Sequence, residues 1–104
     1  MDFNEYQKHA IKTAVFQNDF YPMASLVVEA AELVDLFVKP MLRGDQKPAD
    51  FRHQVISEAG DVLWNLAVLL DTLEIDFNEV AYYNLSKLED RAKRGVLKGS
   101  GGDR

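Results

Sequence analysis

Two pairs of acidic residues, each set three apart inside an apolar stretch, constrain this chain more than any other feature. Glu29 and Glu32 interrupt LVVEAAELVDLF, and Glu58 and Asp61 interrupt ISEAGDVLWNLAVLL. On an α-helix that spacing puts both carboxylates on one face, one turn apart. Ionised carboxylates are costly to bury unless something positive pairs with them. A single such pair is ordinarily a solvated helix face. Two pairs, both breaking apolar helices, point instead to two antiparallel helices that face their acids toward a divalent cation.

The remaining periodicity is helical throughout. Tyr6, Ala10, Ile11, Ala14 and Val15 recur at helical spacing and predict a first helix over about Asn4 to Gln17. Pro22 suits the first turn of a second helix, which is expected to stop at Val38, before Pro40. The polar segment Met41 to Asp50 reads as a loop punctuated by Gly44 and Pro48. A third helix is expected from Ala49 to Phe51 onward, as far as Thr72, with Asp50 as its cap. A fourth runs from Asp76 or Phe77 to just before Gly95, capped by Asp76 or Asn78. Strand signals are weak, since Leu26-Val27-Val28 is short and flanked by helix formers. The expectation is an all-α chain: one helical domain over residues 1–94, with the Gly-rich stretch 95–104 as its tail.

Composition narrows the chemistry. With no cysteine among 104 residues, thiol catalysis, thiolate zinc and disulfides are excluded, as a reducing cytosol would allow. No apolar run approaches the ~20 residues of a membrane span, and MDFNEYQKH does not resemble a signal peptide. The expected location is cytoplasmic. A net charge of -5 argues against a nucleic-acid polymer as partner. Residues 1–83 hold 6 Lys/Arg against 14 Asp/Glu, whereas residues 84–104 hold 6 against 3. An acidic body with a basic end suits a metal site joined to a small phosphorylated ligand.

At about 100° per residue, Glu29 and Glu32 share a face with Ser25, and Glu58 and Asp61 share one with Asn65, Trp64 lying at its border. On the fourth helix Asn84, Lys87, Arg91 and Arg94 form an amide-and-cation stripe, flanked by Ala81, Leu85, Leu88 and Ala92 as the expected core face. Such a set serves Mg²⁺-dependent cleavage of a phosphate ester or anhydride. Magnesium takes oxygen ligands and usually binds substrate phosphates as well, while Arg and Lys hold the phosphate oxygens that remain. Trp64 is either core or a platform for a nucleobase. His9 and His53 lack metal-ligand spacing, and no Glu-x-x-His unit of the di-iron bundles is present.

In this order, Glu29-Ala-Ala-Glu32, Glu58-Ala-Gly-Asp61 with Val62-Leu63-Trp64, Asn84-Leu-Ser-Lys87-Leu and the final RGVLKGSGGDR resemble the MazG-type all-α nucleoside triphosphate pyrophosphohydrolases. Tyr6-Gln7 and Thr13-Ala14 fit as well, and Ala31 departs from the glycine many relatives carry there, which bears on pocket shape. The resemblance implies a four-helix bundle completed by oligomerisation, as a homodimer or homotetramer. It implies cleavage of an NTP or dNTP between the α and β phosphates with Mg²⁺, or Mn²⁺ in its place. Glu29, Glu32, Glu58 and Asp61 match the catalytic metal ligands, with the water-activating role open among them. Asn84 and Lys87 match positions that contact phosphate or sugar. A phosphoribosyl-ATP pyrophosphatase-like enzyme is the near alternative. A non-catalytic helical module that binds a nucleotide or protein is the distant one, disfavoured because a pure binder has no need of four clustered acids.

Overall fold

In the computed structural model, which describes residues 1–15 and 20–95, the chain forms four helices. They are α1 (Phe3–Ile11), α2 (Phe20–Arg43), α3 (Phe51–Thr72) and α4 (Phe77–Arg94). No strand occurs among the described residues, and the all-α expectation holds. No described helix is long and apolar enough to cross a membrane.

The helix ends show where local rules give way. α1 stops at Ile11, well short of Gln17. The Thr13 hydroxyl donates to the Ala10 carbonyl at 2.7 Å, and the backbone tightens into i→i−3 bonds at Lys12, Thr13 and Ala14. α2 runs through Pro40 to Arg43 instead of ending at Val38. Proline removes one donor from the ladder, yet the helix closes cleanly a turn later. Gly44, at φ 72°, donates to Met41, and Asp45 donates to Pro40. That is a Schellman ending, in which a left-handed residue caps the last carbonyls.

α3 ends in the same way, but with Glu74 at φ 59° in the glycine position, Glu74 donating to Asp71 and Ile75 to Leu70. A side chain in left-handed backbone costs on the order of 1 kcal/mol. Glu74→Gly is therefore expected to raise the melting temperature, by about 4–8 °C for a domain of this size. An unchanged melting temperature would mean that Glu74 makes a compensating contact.

Asp50 occupies the N-cap position of α3 but makes no side-chain cap bond. Its carboxylate accepts instead from the Gln54 amide at 2.9 Å. Nor does Asp76 cap α4 with its side chain. The caps come from α1: Gln7 Oε1 accepts from the Phe77 N–H at 3.1 Å, and Asn4 Oδ1 accepts from the Asn78 N–H at 2.8 Å. Asn78 Oδ1 returns the favour, accepting from the Asn4 N–H at 3.2 Å. Two helix N-termini thus satisfy each other's orphan donors.

α2 and α3 form an antiparallel hairpin. Phe37 meets Phe51 edge-on at 5.1 Å near the connecting loop, Glu29 and Glu32 meet Glu58 further along, and Ser25 and Asn65 border one cavity beyond. Lys47 in the loop sits over both rings, 4.7 Å from Phe51 and 5.6 Å from Phe37. The core lies at the other end, where Ala10, Ala67, Leu70 and Phe77 are buried against Tyr6, Leu63 and Trp64. α4 packs on α1 and α3. Its expected apolar flank is open: Leu85 is 62% exposed and Leu88 37%.

Candidate metal centre

The antiparallel pairing of α2 and α3 turns the two acidic faces toward each other. One carboxylate oxygen from each of Glu29, Glu32 and Glu58 lies within 4.8 Å of the others. Asp61, one turn beyond Glu58, is exposed and stands outside that set, but it borders the same cavity as Glu29. Three of the four sequence-predicted carboxylates therefore converge, and the fourth lies at the rim.

The trio carries an unmet electrostatic demand. Oε2 of Glu29 and Oε2 of Glu58 are both buried and find no hydrogen-bond partner. Loss of hydration pushes the Glu29 carboxyl above its usual 4.5, and the charges of Glu32, Asp61 and Glu58 push it the same way. Glu58 is raised for the same reasons: desolvation first, then the charges of Glu32 and Asp61. Each also shares a hydrogen bond with Glu32 that favours its protonated form. Clustered like charges with orphaned oxygens are the setting a hard divalent cation relieves, and carboxylate oxygens are the ligands such a cation takes.

A pH dependence follows, with a definite sign. The folded state binds these protons more tightly than the unfolded state, so stability falls as pH rises from about 4.5 through the raised folded values. Asp2 works the opposite way lower down: the Glu5 N–H, donated to its carboxylate, holds it below 3.8, and that contribution is lost as pH falls through the folded value. The metal-free protein is expected to melt higher at about pH 5 than at about pH 8, and millimolar Mg²⁺ is expected to close the gap. Identical melting temperatures at both pH values, with or without Mg²⁺, would separate the trio from metal binding.

Two cavities flank the trio. One, of about 270 Å³, is lined by Glu32, Glu58, Asp35, Leu36 and Lys39, with Lys39 paired to Asp35 at 3.5 Å. The other, of about 440 Å³, is lined by Glu29 and Asp61 together with Thr13, Tyr21, Ser25, Trp64 and Asn65. Trp64 is held in its wall by a 2.8 Å hydrogen bond from its indole N–H to the Thr13 hydroxyl. A further cavity of about 450 Å³ lies between the start of α1 and α4, walled by Phe3, Tyr6, Leu63, Tyr82 and Leu85. It contains none of the four carboxylates and is mostly apolar, so it does not suit phosphate chemistry.

The α4 stripe is arranged differently from its sequence pattern. Asn84 and Lys87 line neither cavity beside the trio, and the Lys87 ammonium sits 5.6 Å from the Tyr83 ring one turn back. Arg91 is buried, at 7% exposure, and Arg94 bonds Asp90 at 2.9 Å. The Gly-rich tail beyond Gly95 lies outside the described residues. What sequence reasoning left unassigned is Asn65, together with Thr13 and Tyr21 in the same wall. The signal for Asn65 was present: an amide four residues after Asp61, within the apolar run LWNLAVLL.

Residues 20–96 match the family model described as the MazG nucleotide pyrophosphohydrolase domain. The chain is also similar to the Gene 37 protein of Mycobacterium phage L5, 37% identical over 86 residues that make up 81% of this chain and 75% of that protein. No solved structure matches. The matched region spans α2 to α4, so α1 with Gln7, and Thr13 just after it, lie outside the match.

Proposed function

The chain belongs to the MazG nucleotide pyrophosphohydrolase family, and we propose that it hydrolyses an NTP or dNTP between the α and β phosphates, releasing the nucleoside monophosphate and pyrophosphate. The observation that carries this reading is the convergence of Glu29, Glu32 and Glu58 with two buried, unpartnered oxygens. In this reading those three residues hold Mg²⁺, or Mn²⁺ in its place. The ion, when bound, neutralises phosphate charge and makes water more acidic. Asp61 borders the cavity without belonging to the trio, which suits it to take the proton of the attacking water. Trp64, with its N–H engaged, offers ring surface for a nucleobase. Asn84, Lys87 and Arg91 keep their proposed role toward phosphate, made in the assembled protein because Asn84 and Lys87 line neither cavity beside the trio.

Assembly is part of the proposal. Val27, Val28 and Val34 of α2 are 54–70% exposed, as are Tyr82, Tyr83 and Leu85 of α4 at 62–69%. The radius of gyration, 16.5 Å, exceeds the about 13 Å of a compact domain this long. Apolar surface of that extent supports an interface between copies of the chain. Light scattering at micromolar concentration is expected to give a dimer or tetramer, and a monomeric, fully active protein would contradict it.

The decisive experiment is product analysis with the four NTPs, the four dNTPs and phosphoribosyl-ATP in the presence of Mg²⁺. Monophosphate and pyrophosphate are expected in equal amounts. Nucleoside diphosphate with orthophosphate, or no hydrolysis of any substrate, would overturn the reading. Selective hydrolysis of phosphoribosyl-ATP would move it to the neighbouring activity.

A further inference from the structure

In the wall of the cavity beside the carboxylates, one buried polar side chain has an acceptor without a partner. Asn65 is 3% exposed, one turn along α3 from Asp61, and it lines the 440 Å³ cavity with Glu29, Asp61 and Trp64. The orientation of its amide is determined. Nδ2 donates to the Asp61 carbonyl at 2.8 Å, and a carbonyl oxygen can only accept, so the other atom must be Oδ1. Oδ1 is buried and has no hydrogen-bond partner. Buried acceptors are almost always satisfied, by protein, water or ligand.

Its neighbours do not satisfy it. The one proton of the Trp64 indole nitrogen goes to Thr13, and the one proton of the Thr13 hydroxyl goes to the Ala10 carbonyl. Glu29 and Asp61, when ionised, are acceptors themselves. The hydroxyls of Tyr21 and Ser25 line the same cavity but make no hydrogen bond to Oδ1, which leaves a donor that enters the cavity. On a nucleotide, ionised phosphate oxygens only accept, which leaves the donors on the nucleoside: the sugar hydroxyls and the N–H groups of the base. The spacing agrees with this. Asn65 is one helical turn, about 5.4 Å, beyond Asp61, within reach of the sugar of a substrate whose α-phosphate sits at the carboxylates.

We propose that Asn65 is a specificity-determining residue whose Oδ1 accepts a hydrogen bond from a donor on the nucleoside portion of the substrate. The assignment rests on the pyrophosphohydrolase reading above. A site built to receive a hydrogen bond rejects analogues that lack the donor far more strongly than an apolar pocket rejects a missing methylene.

Trp64 is the single tryptophan of the chain and lies in the same wall, so its fluorescence reports occupancy directly. The test titrates the intact protein, with Mg²⁺, with non-hydrolysable α,β-methylene triphosphates of each base. It then uses analogues of the tightest binder that lack one donor each: 2′-deoxy, 3′-deoxy, or N-methylated at the base. One deletion is expected to weaken binding ten-fold or more, and which one it is tells sugar from base. In Asn65→Leu that same deletion is expected to change affinity less than about three-fold, as a double-mutant cycle requires. If Asn65→Leu does not fold by circular dichroism, the deletion series in the wild-type protein still decides. Binding of every analogue within about three-fold in the wild type would overturn the proposal, leaving Oδ1 to water, while the pyrophosphohydrolase reading stands. Absence of any nucleotide binding, with no hydrolysis, would remove that reading and this one together.

Discussion

Glu29→Gln is expected to abolish hydrolysis while leaving the helical circular-dichroism signal intact, and Glu58→Gln is expected to do the same. Both residues bring a buried, unpartnered oxygen to the trio, and glutamine keeps the shape while removing the charge. Loss of one anionic ligand weakens metal binding, and with it the neutralisation of charge on the transferring phosphate. A loss of about a thousand-fold or more in turnover is the expected scale. Metal binding measured by calorimetry is expected to fall in parallel. Stability is expected to move the other way in the metal-free protein. Desolvation and neighbouring carboxylates disfavour the ionised form of both residues, so a neutral amide relieves repulsion and can donate to Glu32. A higher melting temperature without metal, combined with a lost stabilisation by Mg²⁺, distinguishes a ligand from a scaffold residue. Asp61→Asn is expected to lose activity with a smaller effect on metal binding, because Asp61 lies outside the trio. Full activity in any one of the three variants would take that residue out of the site.

The acids were legible because their signal is local. A spacing of three inside a helix decides which side chains share a face, and α2 and α3 form over those residues. The convergence of Glu29, Glu32 and Glu58 then needs only the antiparallel hairpin. Pro40 misled for the opposite reason: the rule that helices stop before proline is a local preference, and the Gly44 ending two residues past Leu42 outweighs it. The capping of α4 was not legible at all. Asp76 and Asn78 have suitable side chains, but the acceptors that serve the first amides of α4 are Gln7 and Asn4. No window of neighbouring residues contains that information. Leu85 and Leu88 read as core because amphipathic spacing reveals an apolar face without saying which molecule covers it. Arg91 read as part of the phosphate-holding stripe and is buried, since burial depends on tertiary packing. Asn65 lay on the correct face, but only its orphaned Oδ1 distinguishes it from a solvated amide.

Gln7 supports the largest expected loss of stability. It is 6% exposed and joins three elements through one amide. Nε2 donates to the Ala67 carbonyl of α3 at 3.0 Å and to the Ile75 carbonyl between α3 and α4 at 3.1 Å. Oε1 accepts from the Phe77 N–H at the start of α4. The small side chains of Ala10 and Ala67, both buried, lie beside it in the core that α1 and α3 share. Gln7→Leu keeps the volume and removes every one of these bonds. The Phe77 N–H and the Ile75 carbonyl are then left without the partner that served them, at a cost of about 1–3 kcal/mol for each buried polar group that stays unsatisfied. A total of about 3 kcal/mol is expected, a large part of the stability of a domain this small. Urea unfolding is expected to show a lower midpoint with an unchanged slope, the sign of lost stability without a change in the surface exposed. Gln7→Glu separates the two halves of the node. Its carboxylate can still accept from Phe77 but turns an acceptor toward both carbonyls, so it is expected to destabilise more than leucine near neutral pH and to recover as the pH falls and the acid regains a proton. A loss below about 0.5 kcal/mol in Gln7→Leu would show that water reaches these groups, and that α1 is held to the rest of the chain by its apolar contacts and the exchange between Asn4 and Asn78.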